Sequence, residues 1–382
     1  MPIYLRLAFC KTFVLVAAFL IMYSFVAGCA PPTRTVPSAG LQDEAVRAEA
    51  RKEKEAAFAA FEQKEDHIFR IAFPLLAEAA ALNPAAGEPT CGFFIHSIES
   101  YREGFREAAA RYYNLDKQIA VRYVHPQFPA AAAGLCAGDK IVNLNGKQIA
   151  ATAEELKKIS TEIKPINGKP LDLTINRNGE NIQINIEGKP CCSYPVILVT
   201  SDRINAFSDG KYIVLTTGIY RMTQSDAELA LILSHEIAHN LLGHRRQTAE
   251  KAAPGTLLDV AIGLTTGIHT HGAFARMVSE PYSKNFEREA DYVGLYLAAR
   301  AGFDISESAN FWRRFSIENP ASIERSYSNT HPSSPERFLA IENAVKEINN
   351  KKQLGMPLIP DIKIKPPANP SSSGDSESNS QR

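Results

Sequence analysis

Sulfur, tryptophan and any imbalance of charge are scarce in this chain. Its 382 residues hold 6 cysteines, 5 methionines and 1 tryptophan, and 42 lysines and arginines face 42 aspartates and glutamates. So few cysteines cannot staple a fold of this length, and a chain this long buries a core without them. The missing basic excess argues against a nucleic-acid partner. No long apolar run recurs after the N-terminus, which excludes a multi-span membrane protein. At 45% hydrophobic residues the chain is too apolar to be disordered, and its length suits about two or three domains.

What is present begins with an address. Arg6 and Lys11 precede an apolar run from Thr12 to Val26, and small residues lead to Cys29, so residues 1–28 read as an export signal. The ending Val26-Ala27-Gly28-Cys29 resembles the bacterial lipobox. Such signals are cut before the cysteine, whose sulfur carries a diacylglycerol, so the resemblance implies a lipidated Cys29 and a membrane anchor. Ala30, rather than Asp, follows, which in lipoprotein sorting implies the outer membrane, with the chain facing the periplasm. The alternatives are an ordinary signal peptide or an uncleaved anchor. Residues 29–40, rich in Pro, Ser and Thr, read as a tether. Export exposes Cys91, Cys136, Cys191 and Cys192 to oxidation. Their spacing fits no zinc knuckle, and the neighbours Cys191 and Cys192 bond each other poorly, so Cys91 with one of them is the expected disulfide.

Residues 41–90 form a helical segment. Phe58, Phe61, Ile68, Phe69, Ala72, Leu75 and Leu76 make one stripe over 41–82, and Pro74 predicts a kink or an end. The stripe suits packing on the rest of the chain better than a coiled-coil partner. Residues 91–190 read as β-rich: an alternating run at 119–125, hairpins at Asn145-Gly146 and Asn178-Gly179, and a helix from Thr152 with Glu155 as the capping-box acid. The run Gly134-Leu135-Cys136-Ala137-Gly138-Asp139-Lys140-Ile141, closed by Asn145-Gly146, resembles a bacterial PDZ domain. PDZ domains bind an extended peptide by adding a strand to a sheet edge. A domain that only braces its neighbour is the alternative.

Residues 191–350 carry the chemistry. Ser225 and Glu228 form a capping box ahead of an apolar helix that contains His235-Glu236-Ile237-Ala238-His239. Polar groups inside a buried helix are costly, so two His and a Glu there need a purpose. Spacing of four puts both imidazoles on one face, within reach of one ion, and Glu236 on the flank can take a proton from metal-bound water. A catalytic zinc needs a third protein ligand. A second helix, roughly 282–301, offers Glu287 and Asp291 on one face: one can ligate, the other accept the free N–H of a ligating His. Glu289 points elsewhere, solvated or paired, and His244 lies off the ligand face.

His-Glu-x-x-His followed by Glu-x-Glu-Ala-Asp resembles the gluzincin zinc metalloproteases of the HtpX and CAAX prenyl protease type, over about 195–345. The absence of further apolar spans resembles the soluble, periplasmic BepA-like branch. The resemblance implies an α+β fold, a mainly helical zincin-type domain with a small antiparallel sheet behind the PDZ-like domain. It implies one Zn2+ per chain held by His235, His239 and Glu287, with Glu236 as general base and Asp291 as support. It implies a substrate strand in the hairpin Asn205-Ala206-Phe207 and Ile213-Val214-Leu215, the peptide lying along the 212–216 edge. His331, before the helix start at Ser334-Pro335, would be a switch ligand or a transition-state donor, with a plain loop histidine as the alternative, and Arg337 would pair with an acid near the site or simply pack. His269 and His271, in the apolar stretch 254–278, read as surface residues of a helix or lid. Residues 351–382 read as a disordered tail. The implied activity is proteolysis of protein or peptide substrates, misfolded envelope proteins among them. A non-catalytic PDZ- or chaperone-like binding lipoprotein that retains zinc is the alternative.

Overall fold

The computed structural model describes residues 43–163, 169–249, 282–318, 331 and 334–362. Among these the fold is α+β. The helices are α1 (Asp43–Leu82), α2 (Arg106–Tyr113), α3 (Pro129–Ala132), α4 (Ala153–Glu162), α5 (Thr217–Met222), α6 (Asp226–Leu241), α7 (His244–Ala249), α8 (Lys284–Arg300), α9 (Ser308–Glu318) and α10 (Pro335–Gln353). The strands are β1 (Gly87–Thr90), β2 (Phe93–His96), β3 (Ala120–Val124), β4 (Lys140–Leu144), β5 (Lys147–Gln148), β6 (Leu171–Arg177), β7 (Glu180–Ile186), β8 (Lys189–Cys192), β9 (Val196–Val199), β10 (Ala206–Ser208) and β11 (Ile213–Thr216). The signal, Cys29, the tether and the stretch with His269 and His271 lie outside the described residues. No described helix is long and apolar enough to cross a membrane.

The chain divides into Met1–Glu53 and Lys54–Arg382. The described part of the first unit is exposed helix with a Lys52–Glu49 ion pair at 3.2 Å. The second unit holds two main cores.

In that unit α1 buries Phe58, Ile68, Ala72, Leu75 and Leu76, as the stripe requires. It neither stops nor breaks at Pro74, contrary to the sequence expectation. Proline has no N–H for the carbonyl four residues back, that of Arg70. His125 supplies the missing donor: its Nδ1 accepts from Gln127 N at 3.2 Å, so its Nε2 carries the proton and donates to Arg70 O at 3.1 Å.

The first core lies under a sheet of order β2-β3-β4-β6-β7, with β5 added to β4. Asn145-Gly146 and Asn178-Gly179 both hold positive φ throughout, the conformation that tight hairpins require. Leu171, Leu173 and Ile175 alternate inward against Ile159 of α4. Thr152 caps α4 by accepting from Glu155 N at 3.1 Å, while its own N–H donates to Ala150 O rather than to the Glu155 side chain. β2 is an edge strand.

All four described cysteines are free, which corrects the expected disulfide. β1 pairs with β8 so that Glu88 faces Cys191 and Gly87 faces Cys192. Cys91 is three residues further along, roughly 10 Å away and beyond the ~7 Å that a disulfide spans. It is buried in the first core, and the vicinal pair in the second.

The second core is built on α6 and α8. They approach so closely at Gly294 that a Cβ there would lie 3.1 Å from the backbone of Ser234 and His235. Beside them lies a sheet of order β10-β11-β9. β11 pairs antiparallel with β10 and parallel with β9, so the 212–216 strand is the middle of the sheet and not its edge. β10 and β9 are its edge strands. The segment after Lys351 is also more ordered than expected. α10 runs to Gln353, Leu358 O accepts from Arg300, and Asp361 N donates to the Tyr292 hydroxyl at 3.1 Å. Residues 363–382 lie outside the described residues.

Candidate metal centre

α6 starts at Ser225, whose Oγ accepts from Glu228 N at 3.3 Å, and it is buried from Leu229 to Leu241. His235 and His239 therefore project from a helix with no exposed face at that depth. Their Nε2 atoms lie 3.0 Å apart. α8, capped by Ser283, brings Glu287 against them: Oε1 is 3.3 Å from His239 Nε2, and Oε2 is 3.6 Å from His235 Nε2. His331 completes the group, its Nδ1 at 3.2 Å from His235 Nε2 and 3.1 Å from Glu287 Oε1. These four buried residues offer donor atoms all within 4.8 Å of one another.

The tautomers show why a cation belongs among them. Asp291 Oδ1 lies 3.0 Å from His235 Nδ1. Nδ1 has no partner of hydrogen-bond geometry among the described residues, but a carboxylate this close favours a proton on Nδ1 and so a lone pair on His235 Nε2. His239 Nδ1 faces His244 Nδ1 at 2.9 Å, and His244 Nε2 faces Glu289 Oε2 at 3.1 Å. Read inward from that carboxylate, the protons leave a second lone pair on His239 Nε2. Two lone pairs aimed at each other across 3.0 Å repel unless a positive ion lies between them. Donors ~2.0–2.1 Å from a tetrahedral ion stand about 3.3 Å apart, close to the separations observed. The set fits a small divalent metal.

Charge is balanced around this group. Arg337, on α10, donates from Nε and Nη2 to both Asp291 oxygens at 2.6 and 2.8 Å, and its Nη1 lies 3.1 Å from Glu287 Oε2. Burial alone would raise Glu287 and Asp291; His331 and Arg337 hold Glu287 well below its usual range, and Arg337 lowers Asp291. Burial would likewise raise Glu236, yet the facing His331 and the two helix imidazoles bring it down to about 2. Burial opposes charge on His331 too, but Glu287 and Glu236 outweigh it and push its pKa up to about 10. Burial takes His239 down to about 4 and His244 down to about 3. Glu236 Oε1 lies 3.2 Å from His331 Nε2, whereas its buried Oε2 finds no hydrogen-bond partner among the described residues.

The sheet reaches the site through β10. Asn205 O accepts from Thr216 N within the β10–β11 ladder, so the carbonyls of Ala206 and Ser208 point outward. Ala206 O lies 3.2 Å from His331 Nε2, and Ser208 O accepts from the Tyr282 hydroxyl at 2.9 Å. The Tyr282 ring stacks on His239, centroids 3.9 Å apart.

Of the residues expected from sequence, His235, Glu236, His239, Glu287, Asp291, His331, Arg337 and Ala206 converge here. Ile213, Val214 and Leu215 do not: they are buried inside the sheet. Sequence reasoning missed Tyr282 and the placement of His244 and Glu289. An aromatic ahead of the Ser283 cap was a weak sign of the first. The second needed the fold, because Glu289 lies off the face shared by Glu287 and Asp291.

Comparison with known proteins fits this geometry. Residues 174–345 match the profile of peptidase family M48, and residues 109–187 that of the PDZ domain. The mitochondrial metalloendopeptidase OMA1 of Saccharomyces cerevisiae is 32% identical over 153 residues, 37% of this chain and 43% of that protein. Its human counterpart is 30% identical over 185 residues, 43% of this chain and 34% of that protein. A putative beta-barrel assembly-enhancing protease of Vibrio cholerae is 30% identical over 139 residues, 33% of this chain and 29% of that protein. The chain thus matches less than half the length of each of these relatives. A crystal structure of the HtrA3 PDZ domain bound to a phage-derived ligand is 20% identical, covers 27% of this chain and 88% of that one, and has a TM-score of 0.21, too low to weigh. Residues 109–187 are thus similar to a PDZ domain, and residues 174–345 to peptidase family M48.

Proposed function

We propose that this chain is a zinc-dependent metalloendopeptidase of the bacterial cell envelope, anchored in the outer membrane through a lipidated Cys29 and acting on misfolded proteins there. The observation that carries the activity is the buried Glu236 Oε2, without a hydrogen-bond partner among the described residues, beside a converging group of three imidazoles and a carboxylate. His235, His239 and Glu287 would hold one zinc ion, with Asp291 and Arg337 fixing their orientation. When bound, the ion supplies Lewis acidity toward water and the scissile carbonyl. Glu236 Oε2 takes the proton of the attacking water and hands it to the leaving nitrogen. No covalent intermediate is required.

The outward carbonyls of Ala206 and Ser208 are spaced to accept from an extended peptide added to β10. His331 Nε2 and the Tyr282 hydroxyl now lie against them, so binding along this edge requires both to withdraw. His331 is then a switch, or a donor to the transition state once substrate is bound. The names of the relatives, metalloendopeptidases and beta-barrel assembly-enhancing proteases, support this reading, and the features of residues 1–28 support the location. The occupied edge also favours a second reading, a peptide-binding lipoprotein that keeps zinc without turnover.

Replacing Glu236 by Gln separates the two. Casein hydrolysis by the purified chain should fall about 100- to 10,000-fold while zinc is retained. Hydrolysis that survives the substitution sinks the assignment, and a zinc-loaded parent that never cleaves favours the second reading.

A further inference from the structure

We propose that Glu289 and His244 form a two-residue relay that positions His239 for metal binding, an inference that rests on the zinc-site reading above. The two ligating imidazoles of α6 need the same tautomer, with the proton on Nδ1 and the lone pair on Nε2. At His235 the Asp291 carboxylate, 3.0 Å from Nδ1 though not in hydrogen-bond geometry, favours it by its charge. Among the described residues no carboxylate lies at the Nδ1 of His239. Its neighbour there is His244 Nδ1 at 2.9 Å, and another imidazole can equally accept or donate. The ambiguity is resolved one step further out, where His244 Nε2 lies 3.1 Å from Glu289 Oε2. A carboxylate only accepts, so His244 carries its proton on Nε2 and presents its Nδ1 lone pair to the His239 Nδ1 proton. The opposite polarity would set a bare His244 nitrogen against the Glu289 oxygen and place a proton on His239 Nε2, in the centre of the donor group.

The ring of His244 is held for this role. It is fully buried and lies parallel to Phe286, centroids 4.3 Å apart at 13°. Phe286 and Glu289 both belong to α8, which also carries Glu287 and Asp291. One helix therefore supplies a ligand, the anion behind one imidazole and the anion at the end of the relay behind the other. Partners of this kind typically affect metal affinity about 10- to 100-fold.

The test is zinc affinity of the full-length protein, by competition with a chromophoric chelator, alongside the visible spectrum of the cobalt-substituted form. His244→Phe keeps the stacking but removes the acceptor; zinc affinity should drop about 10- to 100-fold and the cobalt bands should shift. His244→Asn, whose amide oxygen can accept from His239, should recover most of the loss. Glu289→Ala, at a half-exposed position that the fold tolerates, should give a smaller loss in the same direction. His244→Phe and Glu289→Ala that both hold zinc within threefold of the parent, with unchanged cobalt spectra, overturn the relay. If the His244 variants fail to fold, Glu289→Ala decides alone: parental affinity and spectrum overturn the relay. A parent that binds no zinc overturns the underlying reading instead, so the two failures are distinguishable.

Discussion

Among single residues, Arg337 is the buried cation that balances the acids of the metal group. Its guanidinium is nearly inaccessible and faces both Asp291 and Glu287. Removing one partner of a buried ion group leaves the others uncompensated, which typically costs ~3–5 kcal/mol. Arg337→Met should lose about that much in urea denaturation; a loss under ~1 kcal/mol would show that Asp291 is balanced by something else. A second cluster, between α1 and β3, carries a pH signature. Arg122 is shared by Glu62, Glu65 and Asp66, one cation against three acids. Burial, opposed by Arg122 and reinforced by the two neighbouring acids, raises Glu65 from 4.5 to about 7. The folded chain therefore holds a proton there that the unfolded chain has released between pH 4.5 and 7. The stability linked to that proton is fully present below 4.5 and is lost as pH rises through about 7. Glu65→Gln should melt higher than the parent at pH 8, with the gap closing toward pH 4.5. Equal melting points at pH 8 would contradict the raised value.

At the scale of elements, the α6–α8 contact sets the distance between the imidazoles and Glu287. Gly294 permits it, since a Cβ would press on the backbone of Ser234 and His235 at 3.1 Å, where neither side can swing away. Gly294→Ala should cost ~1–3 kcal/mol of stability by overpacking and weaken zinc binding as Glu287 recedes; unchanged zinc affinity would show that the helices yield elsewhere. What was legible in the sequence follows the range of the interactions. Caps at Thr152, Ser225 and Ser334, the Asn-Gly hairpins and the His-Glu-x-x-His face depend on residues a few positions apart. The 212–216 strand was misplaced because its parallel partner β9 contributes no local signal. Pro74 misled for a related reason: the donor that rescues the Arg70 carbonyl is His125, on a different element. The Cys91 pairing failed on the register of β1 with β8, which no spacing rule reveals.

At the scale of the whole molecule, α1 joins the sheet-based domain to the helical one. Phe73 packs on Phe94, Tyr123 and Phe128 of the first, and lies in the buried core of the second. Arg70, one turn earlier, grips Asp226 at the start of the metal-site helix while its carbonyl receives His125. A peptide captured at the β2 edge would thus be held on a scaffold continuous with the helix that bears His235 and His239. All of this matters for function only if the converging donors bind their ion. The decisive measurement is elemental analysis of the purified full-length chain in detergent, beside Glu236→Gln and Glu287→Ala. The account predicts close to one zinc per chain in the parent and in Glu236→Gln, and a marked loss in Glu287→Ala. A folded parent that carries no zinc and takes up none on dialysis would contradict it.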